Sequence, residues 1–191
     1  MILLSSTLVV IPISSSVNAA SPQLFPLSVS KSLSAKWWQW LLSIPPNINP
    51  ILDDNSCNVK QTGNFFYLVG TFGGSAERSC TIPQGKAIFF PIVNIVATLD
   101  KNDPAFDTIA EVKKAVADFI NGATDLQASV DGVNIKLNKL RAQSPPFKFK
   151  VGDENLLGAP AGTYTAVSDG YWVALHPLSV GILCADWVSV Q

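Results

Sequence analysis

The chain has 191 residues, of which 48% are hydrophobic and 14% are charged, a composition too apolar for a disordered protein and sufficient for one sizeable core. Its 13 basic and 14 acidic side chains give a formal net charge of -1, and the basic residues are scattered along the sequence. Because no basic excess is available to neutralise phosphates, we expect no nucleic-acid partner.

Residues 1–19 predict a signal peptide. They hold no charged side chain, run apolar from Ile2 to Ile13, and place Val17 and Ala19 where signal peptidase prefers small residues. A buried or membrane helix is the alternative, but Pro12 and several serines interrupt the run well before the roughly 20 residues that span a bilayer. We therefore expect export to the cell surface or beyond, no membrane span in the mature chain, and one domain over residues 20–191.

Residues 20–31 contain several serines and two prolines, which predict an extended arm. The following segment, WWQWLLSI, predicts a helix that Ser32 or Ser34 caps and that two prolines at positions 45 and 46 end.

Three of the five tryptophans lie in this predicted helix. Trp37, Leu41 and Ile44 share one face by their i, i+4, i+7 spacing, which is typical of core packing. A membrane-surface helix would carry several basic residues, and this one has only Lys36. Trp40 points away from the apolar face and is the candidate for an exposed, ligand-binding tryptophan.

Strand patterns follow. The aromatic segment NFFYLVGTF begins at Asn64, and ERSCTI comes after a glycine turn. The nearly continuous apolar run KAIFFPIVNIVATL, from Lys86, is typical of a strand covered on both faces, with Pro91 indicating an edge position or a bulge.

A second helix is predicted from Asp103-Pro104 to Asn121-Gly122, because apolar residues recur near helical spacing between Phe106 and Ile120. In this interpretation Asp103 is the N-cap, and Asp107 is favourable in the first turn.

The sequence pattern of the last third of the chain predicts strands. Asp131-Gly132, between two alternating runs, is the strongest hairpin signal. FKFKV alternates as a half-buried strand does, TYTAVSDGYWVALHPL predicts a strand pair that turns at residues 168–170, and GILCADWVSV predicts a last strand. The expected fold is mainly β: an antiparallel, jelly-roll-like β-sandwich decorated by the N-terminal Trp-rich helix and the mid-chain amphipathic helix.

Export allows the cysteines to be oxidised, and there are three. Cys57 and Cys80 close a short loop that contains a predicted strand, so we favour a disulfide between them. Cys184 is then a free thiol or an intermolecular partner.

Few metal or catalytic sites fit this composition. His176 is the only histidine, whereas blue-copper and catalytic zinc sites use two or more, and no G-x-S-x-G elbow accompanies it. We expect no cofactor, and calcium is the one weak candidate, at Asp100, Asn102 and Asp103.

Several segments together resemble a set of uncharacterised secreted proteins of bacteria and archaea, over roughly residues 34–181. They are WWQWLLSIP, NPILDD, FFYLVGTFGG, RSCTIPQGKAIFFPIVN, FINGATDLQASVDG and SDGYWVALHPLSVG. The resemblance brings no established activity, so no catalytic residue is carried over. In such proteins the PLSxG turn precedes a last strand of the H-T-I type, which predicts an anomalous tail at residues 182–191.

The leading hypothesis is a secreted or cell-surface domain with a structural or binding role, non-enzymatic, whose extracellular ligand and oligomeric state stay open. Trp40, Asp53 and Asp54 are the candidate ligand-binding residues. One alternative is a carbohydrate hydrolase with Asp53, Asp54 or Asp103 as catalytic acids. Another is a calcium-dependent adhesion or surface-layer component.

Overall fold

In the computed structural model, residues 22–52, 57–72 and 80–178 are described in full, and residues 185–190 by their backbone. The two helices within these ranges are α1 (Leu27–Leu42) and α2 (Ile109–Asn121). The strands are, in chain order, β1 (Phe65–Tyr67), β2 (Ala87–Thr98), β3 (Thr124–Val130), β4 (Val133–Asn134), β5 (Phe147–Val151), β6 (Gly162–Leu175) and β7 (Ala185–Val190).

The strands form two sheets. One has four strands in the order β1-β2-β6-β5, and the other has three in the order β4-β3-β7. All pairs are antiparallel except β1 with β2, which is parallel. The four-stranded sheet is therefore mixed, and the expectation of a wholly antiparallel fold is wrong at β1.

Side chains of β6 alternate between two apolar environments, as the period of a strand requires. Trp172 and Ala174 pack in the cluster that contains the buried residues of α1. Val173 and Leu175 pack with β3 residues of the three-stranded sheet, and Val167 packs with α2. The four-stranded sheet thus has α1 on one face, and α2 and the second sheet on the other.

Aromatic packing fixes α1 on its face of the sheet. The Trp37 ring meets Trp172 edge to face at 5.6 Å, and Phe89 stacks on Trp172 at 5.2 Å. The indole N–H of Trp37 donates to the Leu68 carbonyl at 2.9 Å, so the polar edge of this buried ring is satisfied. These contacts confirm that the Trp-rich helix packs in the core.

Trp40, expected to be the exposed tryptophan, is buried at 8% exposure. Its indole N–H donates to the Val59 carbonyl at 3.0 Å, and its ring packs on Tyr67. The loop that begins at Cys57 and the β1 residue Tyr67 together cover Trp40, which the helical period of α1 alone does not reveal.

The helix α1 starts earlier than expected. It begins at Leu27, after Pro26, so residues 27–31 are helical although they were predicted as part of an extended arm. Neither Ser32 nor Ser34 is a cap, because each hydroxyl donates to a carbonyl three residues earlier within the helix. Packing of Ser30 and Leu33 against the sheet outweighs the turn preference of the serines.

The predicted turn at residues 168–170 is wrong, because β6 runs unbroken through it. Ser168, Asp169 and Gly170 pair with Val96, Ile95 and Asn94 of β2. Gly170 is required there: a Cβ atom would lie 2.6 Å from the Val93 carbonyl oxygen. A close backbone approach, rather than a turn, explains this glycine.

The start of α2 also differs from the expectation. Its N-cap is Thr108, whose hydroxyl accepts from the Glu111 N–H while the Glu111 carboxylate accepts from the Thr108 N–H, a capping box. Asp103 lies in the preceding loop, where its carboxylate accepts from the Ala105 N–H.

Several strand predictions are confirmed. Val130 pairs with Val133 across a two-residue turn in which Asp131 and Gly132 have φ of 50° and 75°, as a type I′ hairpin requires. A register shift in β2 follows Pro91, so this proline marks a bulge in a central strand. FKFKV, now β5, alternates between buried and exposed side chains.

The structure also confirms the disulfide between Cys57 and Cys80, which are 23 residues apart. Cys184, Asp53 and Asp54 lie outside the described residues.

We expect Gly170→Ala to lower the free energy of unfolding by about 2 kcal/mol or more, because β2 and β6 must separate to admit the methyl group. Gly152→Ala is the matched control, since a Cβ at that position meets nothing within 4 Å. Urea unfolding of both variants measures the difference, and equal stabilities would contradict the close approach.

Replacing Cys57 and Cys80 together by serine should cost about 3 kcal/mol, because the bridge restricts the unfolded chain. Cys184→Ser leaves the bridge in place and is the control. Thermal melts without reductant compare the variants, and a double variant as stable as the control would refute the stabilising role of the bridge.

Candidate functional site

The most distinctive polar feature in the described residues is an ion pair inside the sheet. Asp169 lies in the middle of β6, with its side chain only 3% exposed. The Arg141 guanidinium donates to both carboxylate oxygens, from Nε at 3.3 Å and from Nη2 at 3.0 Å. This bidentate geometry compensates a charge that would otherwise be costly to bury.

Backbone pairing brings Arg141 next to Asp169, because Arg141 pairs with Tyr171, two residues further along β6. Ahead of β5, residues 140–144 run alongside β6: the Ala142 N–H donates to the Gly170 carbonyl at 2.9 Å, and the Ser144 N–H donates to the Ser168 carbonyl at 2.8 Å. The hydrogen bond to Asp169 holds the pKa of Arg141 above its ordinary value, so the guanidinium stays charged.

The side chains of Arg141 and Gln143 tie α2 to the sheet. Arg141 also donates to the Asn121 side chain at 2.6 Å and to the Ala117 carbonyl at 3.0 Å. Gln143 donates to the Lys113 carbonyl at 2.9 Å. A cation near the carboxyl end of a helix is favourable because the helix dipole is negative there. Arg141 therefore joins helix, sheet edge and buried carboxylate in one network.

A groove of about 690 Å³ opens beside this network. Its lining includes Ser28, Lys31 and Ser32 of α1, Lys113 of α2, and the segment 141–145 between them. The volume lies in the range of ligand sites in proteins. Because α1 and α2 lie on opposite faces of the sheet, the groove runs along the sheet edge with one helix on each side.

The groove carries positive charge that no side chain within the described residues neutralises. Asp169 is the one acidic residue of its lining and is paired with Arg141. Neither Lys31 nor Lys113 has a side-chain hydrogen bond or ion pair within the described part of the chain. Two ammonium groups are thus available on a chain whose net charge is -1.

A second hollow has a volume of about 480 Å³. It is lined by residues 24–27, directly before Ser28, and by Lys136, Asn138, Lys139 and Leu140, directly before Arg141. Its floor is apolar, contributed by Leu24, Phe25, Leu27 and Leu140. The two hollows are lined by neighbouring parts of the same two chain segments.

The calcium candidates are occupied in local turns. The Asp100 carboxylate accepts from the backbone and side-chain N–H groups of Asn102, at 2.9 and 3.3 Å, and Asp103 accepts from Ala105. Over residues 22–52, 57–72 and 80–178, no group of three or more His, Cys, Asp or Glu side chains is placed to hold a metal ion.

One carboxyl pair appears that sequence reasoning did not single out, Asp107 with Glu111. A hydrogen bond between the two carboxyl groups raises the pKa of Asp107 and lowers the pKa of Glu111. Glu111 also accepts from the Thr108 hydroxyl at 2.6 Å. Neither carboxyl lines either hollow, so the pair belongs to the start of α2.

His176 packs against the segment before α1. Its ring stacks on Phe25 with centroids 3.6 Å apart, and its backbone N–H donates to the Gln23 carbonyl at 2.9 Å. Among the described residues, its imidazole makes no hydrogen bond to a serine or a carboxylate, which a catalytic triad needs.

Sequence reasoning missed the groove because it interpreted Asp169 as a turn residue. The available signal was the apolar run that follows it, YWVAL, which continues the strand and leaves a carboxylate inside it. A buried carboxylate requires a cation, but the sequence does not indicate which of 13 basic residues supplies it.

No family model, no curated protein and no solved structure matches this chain. In the parts of the chain that the structure describes, no helix combines the length and apolarity that crossing a membrane demands.

Replacing Arg141 by alanine should lower the free energy of unfolding by about 3 kcal/mol, because the Asp169 carboxylate would stay buried without its cation. The control is Lys114→Ala, which breaks an exposed ion pair with Asp118 and should cost about 0.5 kcal/mol or less. Urea unfolding near neutral pH gives both values, and similar losses in the two variants would contradict a buried, charged Asp169.

Proposed function

We propose that this protein is an exported, non-enzymatic binding domain that holds an anionic ligand in the groove between α1 and α2. The observation that carries the proposal is the pair of unneutralised lysines, Lys31 and Lys113, on the two sides of a concave site. Concave sites with a few converging polar groups are the usual form of ligand sites. We infer an acidic ligand because the two lysines find no counter-charge among the described residues.

The geometry favours binding over catalysis. Asp169 is engaged by both donors of Arg141, so it offers no free oxygen to act as a general base. Ser144, at the groove floor, accepts from the Ser168 N–H and is held by backbone pairing. Among the described residues, no comparable arrangement of side chains supports the hydrolase hypothesis or the calcium-adhesion hypothesis.

Export is part of the proposal. It is supported by the signal-like residues 1–19, by the resemblance to secreted proteins and by the disulfide between Cys57 and Cys80, since disulfides persist in oxidising compartments. We also propose that the two sheets pack as a β-sandwich. The support is the shared apolar cluster of Phe90 from β2 and Val130 from β3.

The test is binding of two acidic polymers, polyglutamate and polygalacturonate, at low salt. We expect at least one of them to bind, and Lys31→Glu with Lys113→Glu to weaken that binding by about tenfold or more, equivalent to about 1.4 kcal/mol. Added salt should weaken it too, because exposed charges are screened. Isothermal titration calorimetry measures all three effects.

The matched control reverses two exposed lysines outside the groove, Lys36 of α1 and Lys150 of β5. It changes the net charge by the same amount. Equal losses in both double variants would show that overall charge, not the groove, governs binding, and absence of binding to both polymers would refute the proposal.

A further inference from the structure

The floor of the groove is a short piece of unpaired strand edge. Ala142 and Ser144 turn their N–H groups toward β6, and the bridge between Arg141 and Tyr171 is of the type without direct hydrogen bonds. Because successive residues of a strand alternate, the N–H and C=O groups of Arg141 and Gln143 point away from β6. Within the described residues these four backbone groups have no hydrogen-bond partner.

The rest of this sheet edge is protected. On β5 the exposed side chains are Lys148 and Lys150, and charged side chains discourage the addition of another strand. The Gln39 side chain also donates to the Lys148 carbonyl at 2.8 Å. Among the described residues, the stretch from Arg141 to Gln143 has no comparable cover over its outward backbone groups, and it lines the groove.

We propose that an extended acidic peptide segment docks in the groove as an added strand, paired with the backbone of Arg141 and Gln143 and carrying carboxylates to Lys31 and Lys113. This inference rests on the proposed function and names its ligand class. A peptide fits because its alternating N–H and C=O groups complement the exposed edge, as in other cases of strand addition. An acidic polysaccharide matches the positive charge of the groove, but it lacks the alternating N–H and C=O groups that pair with the exposed backbone.

The geometry sets the length and pattern of the peptide. Pro145 and Pro146 have no N–H, so they end the row of backbone groups that can pair with an added strand. The helical turn at residues 137–139 limits this row at its other end. A paired stretch of three or four residues fits. Lys31 and Lys113 lie on opposite faces of the sheet, so adjacent acidic residues of the peptide reach them, because neighbouring side chains of a strand point to opposite faces.

The apolar hollow beside the groove adds one more feature. Its lining includes Leu140, the residue before Arg141, and Phe25 and Leu27, shortly before Ser28. A peptide that follows the sheet edge places its next residue there, so an apolar side chain beside the acidic pair is favoured.

The experiment uses the full chain and a short synthetic peptide with an adjacent Asp-Glu pair, flanking threonines and a terminal leucine. We expect it to bind, and binding to fall by about tenfold or more with Lys31→Glu and Lys113→Glu. N-methylation of single peptide bonds, which removes one donor each, should weaken binding at alternate positions only, because every second N–H of an added strand faces the edge.

The protein side is tested with Gln143→Pro against Gln143→Ala. Both remove the side chain, and only proline removes the N–H, so the proline variant should bind the peptide about tenfold more weakly than the alanine variant. Thermal melts establish that both fold. If the proline variant does not fold, the binding of the N-methylated peptides to the unmodified protein tests the backbone pairing instead.

The outcomes separate the two proposals. Peptide binding that depends on the lysines but is equally tolerant of methylation at every position overturns strand addition and leaves the anion-binding function in place. Binding of polygalacturonate with no binding of the peptide has the same meaning. Absence of binding to the peptide and to both acidic polymers overturns both proposals.

Discussion

The long pairing of β6 with β2, interrupted only by the bulge after Pro91, is the constraint on which the other contacts depend. It extends over ten paired positions, and both helices and the strand β5 pack on or beside it. The pairing passes through Asp169 and Gly170, which would normally end a strand. It persists there because Gly170 permits the backbone of β2 to approach and because Arg141 neutralises the Asp169 carboxylate. With a strand break at this point, neither helix would have a continuous surface to pack on.

The ion pair between Arg141 and Asp169 also connects the stability of the core with the shape of the groove that we propose to bind the ligand. Arg141 satisfies Asp169 on the inside, and at the same time its contacts with Asn121 and Ala117 hold α2 beside the sheet edge. The groove exists because α2 is held there while α1 lies on the opposite face. The residue that pairs with the buried carboxylate therefore also holds the helix that carries Lys113, one of the two lysines that we propose to bind the ligand.

Local patterns predicted local structure well. The hairpin at Asp131-Gly132 needs positive φ angles, which this dipeptide readily adopts. The alternation of FKFKV indicates a strand with one buried face. The spacing of Trp37 and Leu41 indicated a buried helix face. The disulfide was expected from the predicted signal peptide and from the short loop between Cys57 and Cys80. Misassignments arose where a residue type had two uses: Gly170 serves a close approach instead of a turn, and Ser32 bonds within a helix instead of capping it.

The sequence by itself therefore determined the two helices, most of the strands, the bridge from Cys57 to Cys80 and the absence of a basic excess, because each depends on neighbours along the chain or on composition. Only the tertiary structure decided that Trp40 is buried, that Arg141 is the partner of Asp169, and that Lys31 and Lys113 share a groove. These facts depend on contacts between segments far apart in sequence, such as the loop over Trp40 and the two helices on opposite faces of one sheet. The energies of such contacts are set by burial and charge compensation in three dimensions, which no local pattern encodes.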